Sequence, residues 1–271
     1  MANRILILGG SGFIGNALYK ELLPYFEVHA TFCQDNQIYE KNQQFHQWDA
    51  ERENISILLE QLKPNVIITA IRCDFDAELF AMQQIIKYVK KRTSKIIYFS
   101  SANVFDAFTN YPSYEYDKTF STSNYGKFKI KIENALLSLS DEKYVLVRLP
   151  MVFGNNSPRF QEITSSYEAK SAIEVFPNVV MNFCDISRLT QQIHYIINRA
   201  KSGIFHLGSN DLTHHKDFIY EICRKFDLNH VIFKNVFDAN EDRYIALLPK
   251  YNKLPKNLQY TVQEIIDDLI V

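Results

Sequence analysis

Along the first half of the chain the apolar residues alternate between two rhythms. Short apolar-rich runs, Arg4–Leu8, Phe26–Phe32, Asn65–Ala70, Lys95–Ser101 and Tyr144–Leu149, read as strands, and Arg4–Leu8, apolar nearly throughout, as one buried on both faces. Between them the apolar residues recur at helical spacing. One helix starts near Gly12, with Ile14, Ala17, Leu18 and Leu22 on one face. Glu51–Leu62 places Ile55, Leu58, Leu59 and Leu62 together. Ala77–Val89 does the same with Leu79, Met82, Ile85, Ile86 and Val89, and Asn124–Leu139 completes the set. Repeated strand–helix alternation with short connections predicts an α/β fold, a Rossmann-like doubly wound parallel sheet.

The second half is less regular. Residues 155–180 are rich in Asn, Ser and Pro and predict loops with a short helix. Asp185–Arg199 reads as a helix and Gly203–Leu207 as a strand. His214–Phe226 reads as a helix capped by Thr213, and Thr261-Val-Gln-Glu264 is a capping-box pattern before a last amphipathic helix. The expected organisation is a first domain over residues 1–155, to which 186–210 returns, and a smaller C-terminal lobe over 156–271. There is no internal repeat and no long flexible linker.

Composition sharpens this picture at one place. Only eight of 271 residues are glycine, and four of them stand at positions 9, 10, 12 and 15. Gly9-Gly-Ser-Gly12-Phe-Ile-Gly15 thus falls between the first strand and the first helix. Gly9 suits a tight turn, Gly12 lets the backbone approach a pyrophosphate, and Gly15 lets helix and sheet pack closely. The free N–H groups at the helix start bind phosphate. This pattern predicts a dinucleotide-binding turn. The acidic residue that usually ends the next strand is missing: the chain reads His29-Ala-Thr31-Phe32-Cys33, with Asp35 further on. No Arg or Lys follows closely to hold a 2′-phosphate, so NAD(H) and NADP(H) both stay open.

Charge and cysteine content exclude other classes. With 30 basic and 31 acidic residues the formal net charge is −1, which gives no global field for nucleic acid or an anionic membrane. The four cysteines are scattered without a CxxC, as in a reduced cytoplasmic protein, and no His/Cys spacing suggests a metal. No apolar run is long enough for a membrane helix or signal peptide.

Tyr125-Gly-Lys-Phe-Lys129 is YxxxK on the last of the first-half helices. The i,i+4 spacing puts phenol and ammonium on one face, which favours the phenolate and suits the tyrosine to proton exchange with a carbonyl oxygen. Ser100 and Ser101 end the strand before it, and a hydroxyl there can orient the same carbonyl.

Taken together, GGSGFIG, Asp49 in QFHQWDA, KPNVIITA, KIIYFSSANVFD, YEYD, YGKFK, VRLPMVFG and GIFHLGS resemble the extended short-chain dehydrogenase/reductases, and within them the dTDP-4-dehydrorhamnose reductase group, over roughly residues 3–225. The resemblance implies NAD(P)H as cofactor and a nucleotide-sugar substrate, with 156–271 mainly the substrate-binding lobe. It implies Ser101, Tyr125 and Lys129 as catalytic residues. Gly9, Ser11, Gly12, Phe13, Ile14, Gly15, Thr31, Asp49, Ala50, Thr69, Ala70 and Ile71 would bind the cofactor together with Tyr125 and Lys129. Asp49 and Ala50 would lie by the adenine. Ser100, Ser101, Val104 and Met151 would touch substrate. A homodimer is left open. The chain departs from the pattern at Ala102-Asn103, Phe128 and Ile71-Arg72-Cys73.

The expected function is reduction of a keto group on a nucleotide-activated deoxysugar. The alternatives are an epimerase or dehydratase of the same superfamily, and a dinucleotide-binding regulatory subunit without turnover, similar in that sense to the reductase-like subunit of methionine adenosyltransferase. Arg159 and Arg243 are candidates for a substrate diphosphate, because a guanidinium fork suits phosphate. The loop with Tyr111, Tyr114, Glu115 and Asp117 reads as surface, with contact to substrate as the alternative, and Trp48 reads as core.

Overall fold

A computed structural model describes residues 4–34, 37–237 and 239–270. A seven-stranded sheet forms from β1 (Arg4–Leu8), β2 (Glu27–Phe32), β3 (Phe45–Gln47), β4 (Val66–Thr69), β5 (Lys95–Ser101), β6 (Tyr144–Leu149) and the edge strand Gly203–His206. Its order is edge strand, β6, β5, β4, β1, β2, β3. The pairs β1–β2, β1–β4, β2–β3 and β4–β5 are parallel. The chain thus winds outward from β1 in both directions, the doubly wound order that puts ligands at the carboxyl ends of the strands. Ile5, Leu6, Ile7 and Leu8 have no solvent exposure, as expected of strands covered on both faces.

The helices of the alternating half are α1 (Phe13–Leu22), the short α2 (Gln37–Glu40), α3 (Ile55–Leu62), α4 (Phe75–Lys90) and α5 (Asn124–Leu136). α5 ends three residues early, and two helix starts differ by two residues or more, both explained by capping. α3 starts four residues late because the Asn54 side chain accepts from the Ser56 N–H. α4 starts two residues early because Asp74 accepts from Asp76 and Ala77. β3 was not expected at all, since three residues are too few to show a period. The last helix, α9 (Val262–Asp268), has its capping box: Glu264 N–H donates to Thr261 Oγ1, and Thr261 N–H to the Glu264 carboxylate at 2.7 Å.

Contacts divide the chain into two compact units. Unit 1 holds residues up to 100, 128–147 and 193–204; unit 2 holds 101–127, 148–192 and 205 onward. The core of unit 1 is mainly aliphatic, and Trp48 is buried in it at 4% exposure. Unit 2 contains α6 (Pro158–Glu168), which Ser157 caps, the start of α7 (Ile186–Asn198), α8 (His215–Lys225), and short strand pairs. Within residues 155–180, expected as loops with a short helix, the strands Ile173–Val175 and Val179–Met181 accompany α6. Thr213 does not cap α8. It pairs with Met181 in a two-residue strand, which moves the N-cap to His214 without a side-chain hydrogen bond. The unit 2 core is aromatic at its centre, with Phe183 stacked on Phe218 at 3.7 Å between ring centroids and Phe153 edge-on to Phe218.

Candidate functional site

In unit 1 the carboxyl ends of the strands surround a cleft of about 650 Å³. The glycine turn forms one wall. Gly9 has φ +80°, and a Cβ there would lie 2.6 Å from the Ala70 carbonyl oxygen. That conformation favours glycine, and the contact leaves no room for a side chain. The turn is held by the Gly9 N–H donating to Thr31 Oγ1 and by the Gly12 N–H donating to the Gly9 carbonyl. α1 then begins with Gly12 as N-cap and no side-chain cap, so its first N–H groups are not claimed by a capping side chain. An uncapped helix N-terminus behind a glycine cradle fits a pyrophosphate.

Among the expected cofactor residues, Gly9, Ser11, Gly12, Thr31, Asp49, Ala50, Ala70 and Ile71 line this cleft. Gly15 acts one step removed: a Cβ there would fall 2.1 Å from the Gly9 carbonyl oxygen, so it sets the approach of α1 to the turn. Phe13 and Ile14 form the first turn of α1 with it. Thr69 is buried at the end of β4, its hydroxyl weakly donating to the Ile97 carbonyl at 3.4 Å. Arg72, Cys33, Gln34 and Glu51 also line the cleft, and the glycine motif gave no signal for them. Asp35 lies outside the described residues.

Lys129 is 6% exposed in unit 1. Its ammonium donates to Glu78 Oε1 and to the Tyr98 hydroxyl, both at 2.9 Å, and the Tyr98 hydroxyl donates to the same carboxylate at 3.2 Å. Glu78 and Tyr98 are themselves buried. No sequence motif announced Glu78, because the acidic partner comes from α4, 51 residues away. One turn further along α5, Glu133 accepts from Ser100 Oγ at 2.5 Å. Ser100 and Ser101, adjacent at the end of β5, therefore do different work.

Ser101 caps a short 3-10 turn, Ala102–Phe105: its hydroxyl donates to the Asn103 side chain at 2.8 Å and accepts from the Asn103 N–H. Tyr125, on the first turn of α5, is 41% exposed. The loop before it is organised by Asp106, which accepts from Ser121, Ser123 and the Thr122 N–H at 2.6–2.8 Å. Burial pushes the Asp106 carboxyl up, but the hydrogen bonds from Ser123, Thr122 and Ser121 outweigh it and hold the group below its usual range. Gly126 packs on this loop: a Cβ there would fall 2.0 Å from Ser121 Oγ and 2.4 Å from the Asn103 carbonyl. Asp106 and Ser121 order the loop before Tyr125, and no sequence motif announced them.

Val104 is buried and Met151 half-buried, both in unit 2. Arg159 is engaged by Glu162 and the Glu174 carbonyl, each at 2.7 Å. Glu115 corrects the expectation of a surface loop. It has no exposure, and its carboxylate accepts the N–H groups of Lys250, Tyr251 and Asn252. Tyr111 on the same loop is 79% exposed. Arg148, 2% exposed, donates to the Glu115 carbonyl and reaches His206 Nε2 at 3.3 Å. Burial, and after it the Arg148 charge, pushes His206 down to about 3. Among the described residues no helix is long and apolar enough to cross a membrane.

Among curated proteins the chain is 30% identical over 261 residues to the rat methionine adenosyltransferase 2 subunit beta, covering 88% of this chain and 76% of that one. The mouse protein is 29% identical over the same coverage. Solved structures share the fold at low identity. The dTDP-4-dehydrorhamnose reductase of Bacillus anthracis in complex with NADP superposes with a TM-score of 0.78 at 16% identity over 98% of both chains. That of Clostridium acetobutylicum gives 0.73 at 19% over 98% of this chain and 97% of its own. The dTDP-glucose 4,6-dehydratase of Bacillus anthracis in complex with NAD gives 0.78 at 15% over 98% and 96%. The family described as RmlD substrate binding domain matches residues 3–255, past the 3–225 that the motifs spanned. The chain belongs to the RmlD substrate-binding-domain family.

Proposed function

We propose that the protein is an NAD(P)H-dependent reductase acting on a keto group of a nucleotide-activated sugar, a cytoplasmic enzyme whose residues 156–271 mainly form the substrate lobe. The observation that carries this reading is that α5 sets Tyr125 and Lys129 one turn apart, after a strand that ends in Ser101. Tyr125 would give the proton to the carbonyl oxygen, and Ser101 would hold that oxygen through its hydroxyl. Lys129 would hold the nicotinamide ribose and favour the phenolate of Tyr125. Gly9, Ser11, Gly12, Phe13, Ile14 and Gly15 would cradle the pyrophosphate. Thr31, Asp49, Ala50, Thr69, Ala70 and Ile71 would line the adenosine side, and Ser100, Val104 and Met151 would border the substrate. When bound, the dihydronicotinamide supplies the hydride.

A second reading, a dinucleotide-binding subunit without turnover, is favoured by one observation. The Lys129 ammonium is already neutralised by the buried Glu78 carboxylate, which offsets the charge that would act on Tyr125. The similarity to methionine adenosyltransferase 2 subunit beta supports the same reading. The deciding assay is NADH and NADPH oxidation against dTDP-, UDP- and GDP-linked 4-keto sugars, with wild type and Tyr125→Phe. A reductase oxidises cofactor with at least one sugar, and Tyr125→Phe loses about 100-fold or more in kcat. Tight dinucleotide binding with no turnover of any sugar establishes the second reading. Turnover that Tyr125→Phe leaves intact removes Tyr125 from the chemistry.

A further inference from the structure

His29 and His46 are 17 residues apart, and no spacing along the chain links them. β2 and β3 bring them together at the edge of the sheet. The two strands run parallel in the register Ala30↔Phe45, Thr31↔His46, Phe32↔Gln47. His46 is thus level with Thr31, two residues along β2 from His29, and side chains two apart on a strand share a face. On that face His29 Nδ1 lies 3.0 Å from His46 Nε2. Neither histidine lines the glycine-turn cleft.

Hydrogen bonding decides which nitrogens carry protons. His29 Nε2 lies 3.3 Å from Glu27 Oε1, and the same oxygen accepts from Arg4 Nε at 2.7 Å. Arg4 is tied in turn to the Leu62 carbonyl at the end of α3. A carboxylate paired with a guanidinium is an acceptor, so His29 carries its proton on Nε2 and presents the Nδ1 lone pair to His46. A histidine that gives its other N–H to a carboxylate, with ring and tautomer fixed by it, is the arrangement that supports metal ligation. The His29 side chain keeps 12% exposure, an opening to solvent beside the pair.

A further acceptor belongs to the same stretch. Gln44 precedes β3, and its carbonyl accepts the Ala30 N–H at 2.9 Å, which sets it beside the middle of β2. Its side-chain Oε1 is buried and receives no hydrogen bond. A buried acceptor without a donor is costly, and a cation is one way to satisfy it. Among the described residues no three His, Cys, Asp or Glu side chains converge as a metal site, so the oxygen ligand here is an amide and not a carboxylate.

Distance selects the ion. With metal–nitrogen bonds of about 2.0–2.1 Å, nitrogens 3.0 Å apart subtend about 95° at the metal. That is close to the roughly 90° between neighbouring ligands in square-planar or octahedral coordination, and short of the roughly 109° of tetrahedral zinc. Imidazole with an oxygen ligand in that geometry suits Ni²⁺ or Cu²⁺.

We propose that His29 Nδ1 and His46 Nε2, with Gln44 Oε1 as oxygen ligand, chelate a divalent transition-metal ion of the nickel and copper type, which ties β3 to β2. Glu27 and Arg4 are the outer partners that hold His29. The ion takes the place of the hydrogen between the two rings. His46 then carries its proton on Nδ1, so both rings stay neutral, and water fills the remaining positions. The site stands apart from the dinucleotide reading and does not depend on it.

The test is a calorimetric titration of the untagged, chelator-treated full chain with Ni²⁺, followed by thermal unfolding. Wild type binds Ni²⁺ saturably, and its unfolding midpoint rises with Ni²⁺ concentration because the ion binds the folded chain. His29→Gln and His46→Gln each weaken binding about 100-fold or more, and Glu27→Gln, which touches only the outer partner, weakens it about 10- to 100-fold. Each variant is compared with its own metal-free midpoint, so a general loss of stability does not imitate the effect. Gln44→Leu weakens binding as well, and His214→Gln, in unit 2, leaves it unchanged. The paramagnetic resonance of the Cu²⁺ form shows coupling to two imidazole nitrogens. No saturable Ni²⁺ binding, or wild-type affinity in His46→Gln, overturns the proposal. Equal losses in His214→Gln and His46→Gln overturn it too, since the ion is then not held by the β2–β3 pair alone. Wild-type affinity in Gln44→Leu overturns the assignment of Gln44.

Discussion

In unit 1 the buried charged side chains are Glu78, Lys129 and Glu133, beside a core of isoleucine, leucine and valine on a regular sheet. In unit 2 the buried polar groups are more varied: Glu115, Arg148, Asn182, Asp185, Gln192, His206 and His215. Most of their hydrogen bonds go to backbone. Glu115 ties three successive N–H groups 135–137 residues away. Asn182 bonds the backbone of Leu247 on both sides of its amide and the Ser209 carbonyl. Unit 1 satisfies its backbone through sheet and helix, and its buried charges meet side chains instead, Lys129 with Glu78 and Glu133 with Ser100. Unit 2 has short strands and long connections, and side chains must do what a sheet would otherwise do. A regular sheet therefore draws its order from apolar periodicity, whereas a loop-rich lobe depends on particular polar residues.

The most severe way to break this contrast is Glu115→Ala. It removes the carboxylate that accepts the part-buried 250–252 N–H groups, three charge-assisted hydrogen bonds, and should cost unit 2 about 3–5 kcal/mol. Urea unfolding followed by hydrogen exchange resolves which unit is lost. Glu115→Gln, which keeps one acceptor oxygen, should recover part of it. If unit 1 is destabilised equally, the contrast fails.

Acid should separate the units next. Burial, then Arg148, hold His206 near 3, and burial, then Arg159, hold His215 near 4, against an ordinary 6.5. Below 6.5 the unfolded chain binds these protons and the folded chain does not, so stability falls as pH is lowered through the window between 6.5 and each folded value. The slope is at most about 1.4 kcal/mol per pH unit for each imidazole. Both histidines are in unit 2, whereas burial and His29 lower the unit 1 residue His46. Exchange protection should be lost first in unit 2, with the fluorescence of the single tryptophan, Trp48 in unit 1, changing later.

Gly15→Ala tests unit 1 where its regularity is tightest. Its Cβ would fall 2.1 Å from the Gly9 carbonyl oxygen, an overpacking cost of about 1–3 kcal/mol, with dinucleotide binding lost together with the turn. Unchanged affinity for NADH and NADPH would detach Gly15 from the cradle. The smallest effect belongs to Thr261→Ala, which removes one half of the unit 2 capping box at about 1 kcal/mol. Thermal unfolding reads it, and a larger loss would show that α9 anchors more than its own first turn.

The same contrast explains what could be read from the chain. β1, β4, β5 and β6 were legible because an apolar run bounded by turn residues has few alternatives. The glycine turn was legible because four of eight glycines fall within seven residues. Tyr125 and Lys129 were legible because helical spacing alone puts them on one face. β3 was too short to show a period. The caps Asn54 and Asp74 shifted two helix starts, and Thr213 was drawn into a strand by Met181, a partner 32 residues away.

The sequence by itself determined the alternation of the main strands and helices in the first half, the glycine turn and the i,i+4 placement of Tyr125 and Lys129, since each depends on neighbours within a few residues. Tertiary structure alone decided that Glu78 meets Lys129, that Ser100 turns to Glu133 while Ser101 caps a turn, and that Glu115 is buried. Each of these is a charged or polar group matched with a partner brought close by strand order or chain return. Complementarity of that kind has no period along the chain, and it exists only once the backbone has folded.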